Sequence, residues 1–182
     1  MKHTHDMIII GAGIAGSTMA LAASVQGLRV ALIDKQTPSI VTPELSLRVS
    51  NINYASEQFL NTLGVIFPDD RRGIFNNIKI FQENNSNTLN FSASALHMPY
   101  LGSIIENNLL IDLIQTQLRT HHVNCYYGVT GEKFTITETS ALVNIPEIGE
   151  LSAPLMIGAE GAHSLLRQHC GILQDEKPYA QT

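Results

Sequence analysis

Basic residues, cysteines and tryptophan are scarce in this sequence. Its 182 residues include 11 Lys and Arg, 2 Cys and no Trp, and the formal net charge is −5. Because the basic residues are scattered and form no cluster that could neutralise a row of phosphates, we expect no nucleic-acid partner. Cys125 and Cys170 lie far apart and have no CxxC partner. Their placement excludes a disulfide scaffold and a cysteine zinc site, and is typical of a reducing compartment.

Common catalytic and metal-binding patterns are also missing. The sequence contains no HExxH, and Ser164 lies in GAHSL rather than in GxSxG, so neither a zinc protease nor a hydrolase nucleophile elbow is indicated. The adjacent His121 and His122 would not face one point on a helix, and we interpret them as cations at a helix C-terminus. We therefore expect no metal site.

Two polar segments are expected to be solvated. His3 and His5 belong to an N-terminus that we predict to be frayed. The charge run Asp69-Asp70-Arg71-Arg72 is interpreted as an exposed turn.

An apolar run near the N-terminus allows two interpretations. Residues 7–25 carry no charge, as in a signal peptide or a membrane span. Regularly spaced glycines and a second apolar stretch at 28–34 instead favour a buried strand, turn, helix and strand, since parallel strands covered on both faces are continuously apolar. The 44% hydrophobic content is near the globular norm of roughly 45–50%, so the chain can form a core.

Hydrophobic periodicity and glycine positions predict an α/β fold that begins with a right-handed βαβ unit. The predicted helices are 14–26, 56–63, 107–119 and 162–170. The predicted strands are 6–10, 28–34, 78–82, 88–91, 123–127, 133–137, 141–145 and 151–157. Strands 78–82 and 88–91 are expected to pair around the polar loop 83–87. The length indicates one domain, or one domain and part of another.

The first glycine motif, GAGIAG, follows a predicted strand and opens a helix. Gly11 permits a tight turn, Gly13 lets the backbone approach a pyrophosphate, and Gly16 lets the helix pack close to the strand. The helix N-terminus supplies free N–H groups for phosphates. Asp34 ends the second strand 23 positions after Gly11, near the usual place of the acid that accepts ribose hydroxyls, and its charge argues against a 2′-phosphate. The alternative is a glycine-rich turn of an ordinary α/β protein.

A second strand, glycine turn and helix occurs at residues 155–167. Gly158 and Gly161 free the backbone to come near a ligand. Ser164 is a candidate helix cap, and Arg167 would either anchor the turn or reach a phosphate. Alone, the motif is a structural turn; together with the first motif, it suggests one extended dinucleotide that is touched twice.

These motifs and several intervening stretches resemble one enzyme family. MIIIGAGIAGSTMALAASVQGLRVALIDK and GAEGAHSLLR are similar to the two FAD-binding signatures of flavoprotein aromatic monooxygenases with the p-hydroxybenzoate hydroxylase fold. LRVSNINYAS, LGV and LGSIIEN, with Tyr179 and Gln181 near the end of the chain, are similar to stretches of the ubiquinone-biosynthesis hydroxylase branch. The resemblance covers essentially the whole chain and implies a Rossmann-like FAD-binding domain with the beginning of a mixed or antiparallel substrate sheet.

The resemblance implies a set of cofactor-binding residues. The first glycine turn would hold the FAD pyrophosphate, Asp34 the adenosine ribose, and Arg48 would approach the flavin. Glu160 stands where the second signature usually has Asp, a position linked to NAD(P)H. The expected cofactor-binding residues are Gly11, Ala12, Gly13, Ile14, Ala15, Gly16, Asp34, Lys35, Arg48, Gly158, Glu160 and Gly161.

The resemblance also implies an activity and a domain plan. It indicates an FAD-dependent monooxygenase that hydroxylates an aromatic ring, with a polyprenyl phenol of the ubiquinone pathway as substrate and NAD(P)H and O₂ as co-substrates. Residues 1–182 would be a truncated FAD-binding domain in which 74–105 begin the substrate sheet. A cytoplasmic location is expected; peripheral contact with the inner membrane and homo-oligomerisation stay open. The alternatives are another FAD or NAD oxidoreductase and a non-catalytic dinucleotide-binding remnant.

Overall fold

The computed structural model describes residues 3–38, 40–81 and 88–177. Among these residues, the helices are α1 (Ile14–Val25), α2 (Tyr54–Thr62), α3 (Asn107–Thr120) and α4 (Leu165–His169). The strands are β1 (Met7–Ile10), β2 (Val30–Asp34), β3 (Val49–Asn53), β4 (Arg72–Phe75), β5 (Asn77–Phe81), β6 (Thr88–Ser92), β7 (Gly102–Glu106), β8 (Asn124–Tyr127), β9 (Lys133–Ile136), β10 (Ala141–Ile145), β11 (Gly149–Ala153) and β12 (Leu155–Gly158). The loop 83–87, Tyr179 and Gln181 lie outside the described residues.

The chain divides into two compact units. Unit 1 comprises Met1–Thr37 and His122–Thr182, and unit 2 comprises Pro38–His121. Unit 1 is therefore discontinuous in sequence, because unit 2 is inserted after β2. The predicted start of a substrate sheet at 74–105 falls inside unit 2 and stays a prediction.

Unit 1 contains the predicted βαβ unit. Its four-stranded sheet has the order β12-β1-β2-β8, and all its neighbours are parallel. Every residue of β1 is buried, as expected for a central parallel strand covered on both faces. Helix α1 packs against β1 and β2, and Gly27 follows its end with φ +83°. The predicted Rossmann-like fold is confirmed.

A second, antiparallel sheet in unit 1 has the order β11-β10-β9. Its inner residues share one apolar core with β1, β2 and α4; this core contains Ile8, Ile10, Ala31, Ile33, Phe134, Val143, Ile145, Leu151, Ala153 and Leu166. The prediction of one strand over 151–157 is wrong. Pro154 separates β11 from β12, and the two strands belong to different sheets, because proline has no N–H to donate to a ladder.

Unit 2 contains a three-stranded antiparallel sheet of order β3-β7-β4, helices α2 and α3, and the β5–β6 hairpin. The hairpin and the two helices occur where they were predicted. Strands β3, β4 and β7 were not predicted, since they are short and each contains polar or glycine residues. The predicted helix over 162–170 is only partly formed: residues Gly161–His163 make a 3₁₀ turn before α4.

Candidate nucleotide-binding site

The fold requires glycine at two positions of the first glycine turn. Gly11 has φ +104°, and a Cβ atom on it would lie 2.4 Å from the Ala159 carbonyl oxygen. A Cβ on Gly16 would lie 1.9 Å from the Gly11 carbonyl oxygen. Side chains at these positions would collide with backbone, so the close packing of helix on strand predicted for Gly16 is confirmed.

Gly13 has a different environment. It is exposed, its φ of −67° suits any residue, and no atom lies within 4 Å of the place where its Cβ would be. It is the N-cap of α1, no side chain caps the helix there, and the first turn holds no acidic residue. The first N–H groups of a helix lack intrahelical partners. The turn around Gly13, Ile14 and Ala15 therefore offers N–H groups and open space to an anion.

Asp34, at the end of β2, stabilises this turn through hydrogen bonds to the backbone. Its Oδ2 accepts a hydrogen bond from the Ala12 N–H at 2.5 Å, and its Oδ1 accepts one from the Gln36 N–H at 2.8 Å. The buried Ser17 hydroxyl donates to the Ala12 carbonyl at 3.0 Å. Asp34 thus fixes the glycine turn as well as standing where a ribose acceptor is expected. Sequence reasoning missed the bond between Ala12 and Asp34, because the two residues are 22 positions apart and meet only in the fold.

The second glycine turn lies beside the first. Strands β1 and β12 pair in parallel with Ile10 opposite Gly158, and the Ala159 N–H donates to the Ile10 carbonyl at 2.6 Å. The missing side chain of Gly11 faces Ala159. Both turns therefore follow the carboxyl ends of adjacent strands, which is where ligands bind in open α/β sheets.

Glu160 has a structural role within the second turn. Its carboxylate accepts hydrogen bonds from the Ser164 hydroxyl at 2.6 Å and from the Leu165 and Leu166 N–H groups at 3.1 Å each. Ser164 in turn accepts a bond from the Arg167 N–H, which confirms it as the helix cap. Arg167 donates to the Ala162 carbonyl at 2.7 Å and so anchors the turn. Gly161, with φ +78°, has open space where a Cβ would be.

The remaining candidate residues are both exposed. Lys35 directly follows β2 in unit 1. Arg48 belongs to unit 2, immediately before β3, where its carbonyl accepts a hydrogen bond from the Asn107 N–H at 2.9 Å. Arg48 makes no ion pair with any other described residue.

The expectation that residues 69–72 form a solvated turn holds for the exposed Asp69 and Asp70 but is wrong for the two arginines. Arg71 forms an ion pair with the buried Glu106 at 2.7 Å, and Arg72 forms one with the buried Glu57 at 2.5 Å. Glu57 also accepts bonds from the Tyr100 hydroxyl at 2.9 Å and the Ser103 hydroxyl at 2.6 Å. Burial, together with the bond to Glu57, raises the pKa of Tyr100. Glu106, the partner of Arg71, and Glu57, the buried partner of Arg72, lie on other elements. The local sequence therefore suggested a surface turn.

His5 is not part of a frayed terminus. Its side chain is 4% exposed, its Nε2 lies 3.0 Å from Asn124 Nδ2, and its Nδ1 lies 2.9 Å from the Thr4 hydroxyl. Because the Asn124 amide nitrogen can only donate, Nε2 accepts and the ring is neutral. Burial, helped by the charge of Arg29 and opposed by Asp6, lowers the pKa of His5.

Unit 1 thus has the features of a dinucleotide-binding α/β domain: two glycine turns on adjacent parallel strands, an uncapped helix N-terminus and an acid at the end of β2. Comparison with known families agrees. Residues 4–180 match the family described as "FAD binding domain", so the chain belongs to that family. The open cradle at Gly13 fits the pyrophosphate of such a cofactor.

Curated relatives include several hydroxylases. The chain is 27% identical to the 3-demethoxyubiquinol 3-hydroxylase of Escherichia coli over 97% of its length, covering 46% of that protein. It is 27% identical to the mitochondrial ubiquinone biosynthesis monooxygenase COQ6 of Dictyostelium discoideum, over 97% of the chain and 41% of the relative. The chain therefore spans less than half of the length of these relatives.

Solved structures share the fold. The aklavinone-11 hydroxylase complex with FAD and aklavinone superposes with a TM-score of 0.69 at 24% identity, covering 94% of this chain and 35% of that one. P. aeruginosa PqsL gives a TM-score of 0.77 at 17% identity, over 96% and 48% of the two chains.

Within residues 3–38, 40–81 and 88–177, no helix is long and apolar enough to cross a bilayer, and no group of three potential metal ligands occurs.

Proposed function

We propose that this chain is the FAD-binding part of a flavin-dependent monooxygenase that hydroxylates an aromatic ring. The observation that carries the proposal is the pairing of the two glycine turns at one edge of the parallel sheet, in a chain whose family binds FAD. A single turn would serve any nucleotide, whereas two adjacent turns suit an extended dinucleotide.

The cofactor-binding roles divide between the two turns. The N–H groups around Gly13, Ile14 and Ala15 would hold the pyrophosphate, with Gly11 and Gly16 keeping the backbone close. Asp34 would accept the ribose hydroxyls with the lone pairs that its bonds to Ala12 and Gln36 leave free. Lys35 adds a positive charge beside that site.

The second turn completes the proposed cofactor site of unit 1. Gly158 and Gly161 would let the backbone at the end of β12 approach the cofactor, while Glu160 keeps that turn in shape through its bonds to α4. Arg48 would approach the flavin. FAD, when bound, supplies the redox chemistry, and the protein's part is to orient it and exclude water.

The substrate and co-substrates belong to the same proposal. We infer a polyprenyl phenol of the ubiquinone pathway, since two relatives are named for ubiquinone-pathway hydroxylation. NAD(P)H would reduce the flavin and O₂ would supply the oxygen atom. The proposed location is cytoplasmic, and an apolar polyprenyl tail would require peripheral contact with a membrane. Homo-oligomerisation is open to direct measurement.

Titration of FAD into the purified chain, followed by flavin fluorescence and visible absorption, tests the cofactor proposal. FMN and NAD⁺ serve as competing ligands. We expect FAD to bind more tightly than FMN, which lacks the AMP half, and more tightly than NAD⁺. NAD⁺ binding in preference to FAD would instead favour a nicotinamide oxidoreductase.

Two variants of α1 sharpen the titration. Gly13→Val places a side chain in open space, so the fold is kept while the pyrophosphate is obstructed, and FAD should bind at least about tenfold more weakly, equivalent to about 1.4 kcal/mol. Val25→Ala, at the other end of the same helix, should leave the affinity unchanged. Folded wild-type chain that fails to bind FAD would contradict the proposal. If FAD binds, turnover of a ubiquinone-pathway phenol with NADPH and O₂ would support a monooxygenase over a non-catalytic binding module.

A further inference from the structure

The backbone of residues 42–48 is held by two charged side chains of unit 2. The Ser46 N–H donates to Glu106 Oε2 at 2.6 Å. Arg71 donates from Nε to Glu106 Oε1 at 2.8 Å, and its two terminal nitrogens each lie 3.3 Å from the Thr42 carbonyl. One ion pair therefore contacts this segment at two points, and we call this arrangement the Glu106–Arg71 clamp.

The same end of β7 also holds the residues on either side of Arg48. Glu106 lies opposite Val49 in the β3–β7 register, and the N–H of the next residue, Asn107, donates to the Arg48 carbonyl. The Arg48 N–H lies 3.3 Å from the Ser46 hydroxyl. Arg48 thus sits between two backbone anchors that both depend on the Glu106–Asn107 corner.

Side-chain packing contributes little to the position of this segment. Leu45 is 73% exposed and Leu47 is fully exposed, so burial of apolar surface cannot hold the segment. Glu106, in contrast, is 3% exposed. The Ser46 N–H, with Arg71, keeps the pKa of Glu106 below its ordinary value, so the carboxylate stays charged at neutral pH.

We propose that Glu106, acting through Arg71 and the backbone of residues 42–48, is a positioning residue for Arg48. The ion pair holds the exposed guanidinium of Arg48 at a fixed place without touching it. Because Arg48 is the residue assigned to the flavin side, this inference rests on the proposed function. Its first test does not need the cofactor.

Limited trypsin digestion at neutral pH tests the clamp, because cleavage after Arg48 requires local opening of the backbone that the clamp holds. Trypsin cleaves after the exposed Arg48, and cleavage after the exposed Lys79 in β5 serves as an internal reference within unit 2. Loss of a charge-assisted bond in Glu106→Gln should raise the ratio of cleavage after Arg48 to cleavage after Lys79 by about tenfold. Arg71→Gln should raise the ratio similarly, and Arg71→Lys, which keeps the charge, should raise it less.

Glu57→Gln is the matched control. It makes the same change at a carboxylate that is equally buried, lies in the same unit and also pairs with an arginine, yet Glu57 has no contact with residues 42–48 among its hydrogen bonds. Its cleavage ratio should equal that of the wild type. An unchanged ratio in Glu106→Gln, or an equal rise in Glu57→Gln, would overturn the proposal.

A second readout joins the clamp to the cofactor. In the FAD-loaded chain, Glu106→Gln should shift the visible flavin spectrum in the same direction as Arg48→Ala, the double variant should add nothing, and Glu57→Gln should leave the spectrum unchanged. A spectrum unaffected by Glu106→Gln in a chain that binds FAD would overturn the positioning role. If the wild-type chain binds no FAD, the proposed function fails while the digestion still decides whether the clamp exists.

Discussion

At the scale of single residues, charged side chains of unit 2 should contribute more to stability than their sequence context suggests. Arg72 pairs with two carboxylates: Glu57, whose side chain is 1% exposed, and Asp69, whose side chain is 89% exposed. An ion that is buried without its partner keeps a large desolvation penalty, whereas an exposed ion is solvated by water. The two partners of one arginine should therefore differ in energetic weight.

We predict that Arg72→Met lowers the free energy of unfolding by about 3 kcal/mol, because it leaves the Glu57 carboxylate buried without a cation beside it. Asp69→Asn removes the exposed partner of the same arginine and should cost less than about 1 kcal/mol. Urea denaturation of both variants measures the difference. Equal losses would contradict the assignment of Glu57 as the buried anchor.

His5 should make unit 1 less stable in mild acid. Its pKa in the folded chain lies below the ordinary 6.5, so below about pH 6.5 the unfolded chain binds a proton that the folded chain resists. Stability should be unaffected by His5 above that pH and should fall as the pH drops below about 6.5. Denaturation midpoints should fall less steeply over this range in His5→Gln, whereas His163→Gln, at an exposed position, should retain the wild-type slope. A wild-type slope in His5→Gln would refute the account.

The sequence predicted the backbone roles of Gly11 and Gly16, because a tight turn and close helix packing require glycine at these places of a strand–turn–helix motif. Gly11 and Gly16 do what their motif requires. The bond from Ala12 to Asp34 and the ion pairs of Arg71 and Arg72 could not be predicted, since each joins residues that only the fold brings together.

At the scale of elements, the β5–β6 hairpin carries an apolar face without a cover among the described residues. The register places Ile78 opposite Phe91 and Ile80 opposite Leu89, all on one face, and all four are more than one-third exposed. Such a face favours self-association in water.

We predict that Ile80→Lys reduces self-association of the purified chain without unfolding it. Asn90→Lys adds the same charge to the opposite face of the hairpin, where Asn90 pairs with Lys79, and should have little effect. Sedimentation velocity at several concentrations compares the two variants. Equal self-association of Ile80→Lys and wild type would exclude this face as the cause.

Periodicity found most of the elements but not all of their boundaries. Helices α2 and α3 have distinct apolar faces, and α1 is an apolar helix between Gly13 and Gly27; all three occur where expected. The continuous apolar stretch at 151–157 concealed a change of sheet at Pro154. Strands β3, β4 and β7 gave no clear signal, because they are short and each contains polar or glycine residues.

At the scale of the whole molecule, the order of motifs predicted the family, and the family comparison confirmed it. The insertion of unit 2 into unit 1 was not predicted, because contacts between residues 3–37 and 122–177 are remote in sequence. After unit 2 the chain re-enters unit 1, and β12 then pairs with β1, which places the second glycine turn beside the first. The central claim is therefore that two segments about 150 positions apart form one cofactor-binding edge.

Hydrogen exchange with and without saturating FAD, followed by mass spectrometry, tests this claim most directly. The account predicts that FAD slows exchange in both glycine turns, at residues 11–16 and at 158–161, and leaves the exchange of the β5–β6 hairpin unchanged. Protection confined to one turn, or no protection in a folded chain at saturating FAD, would contradict the claim.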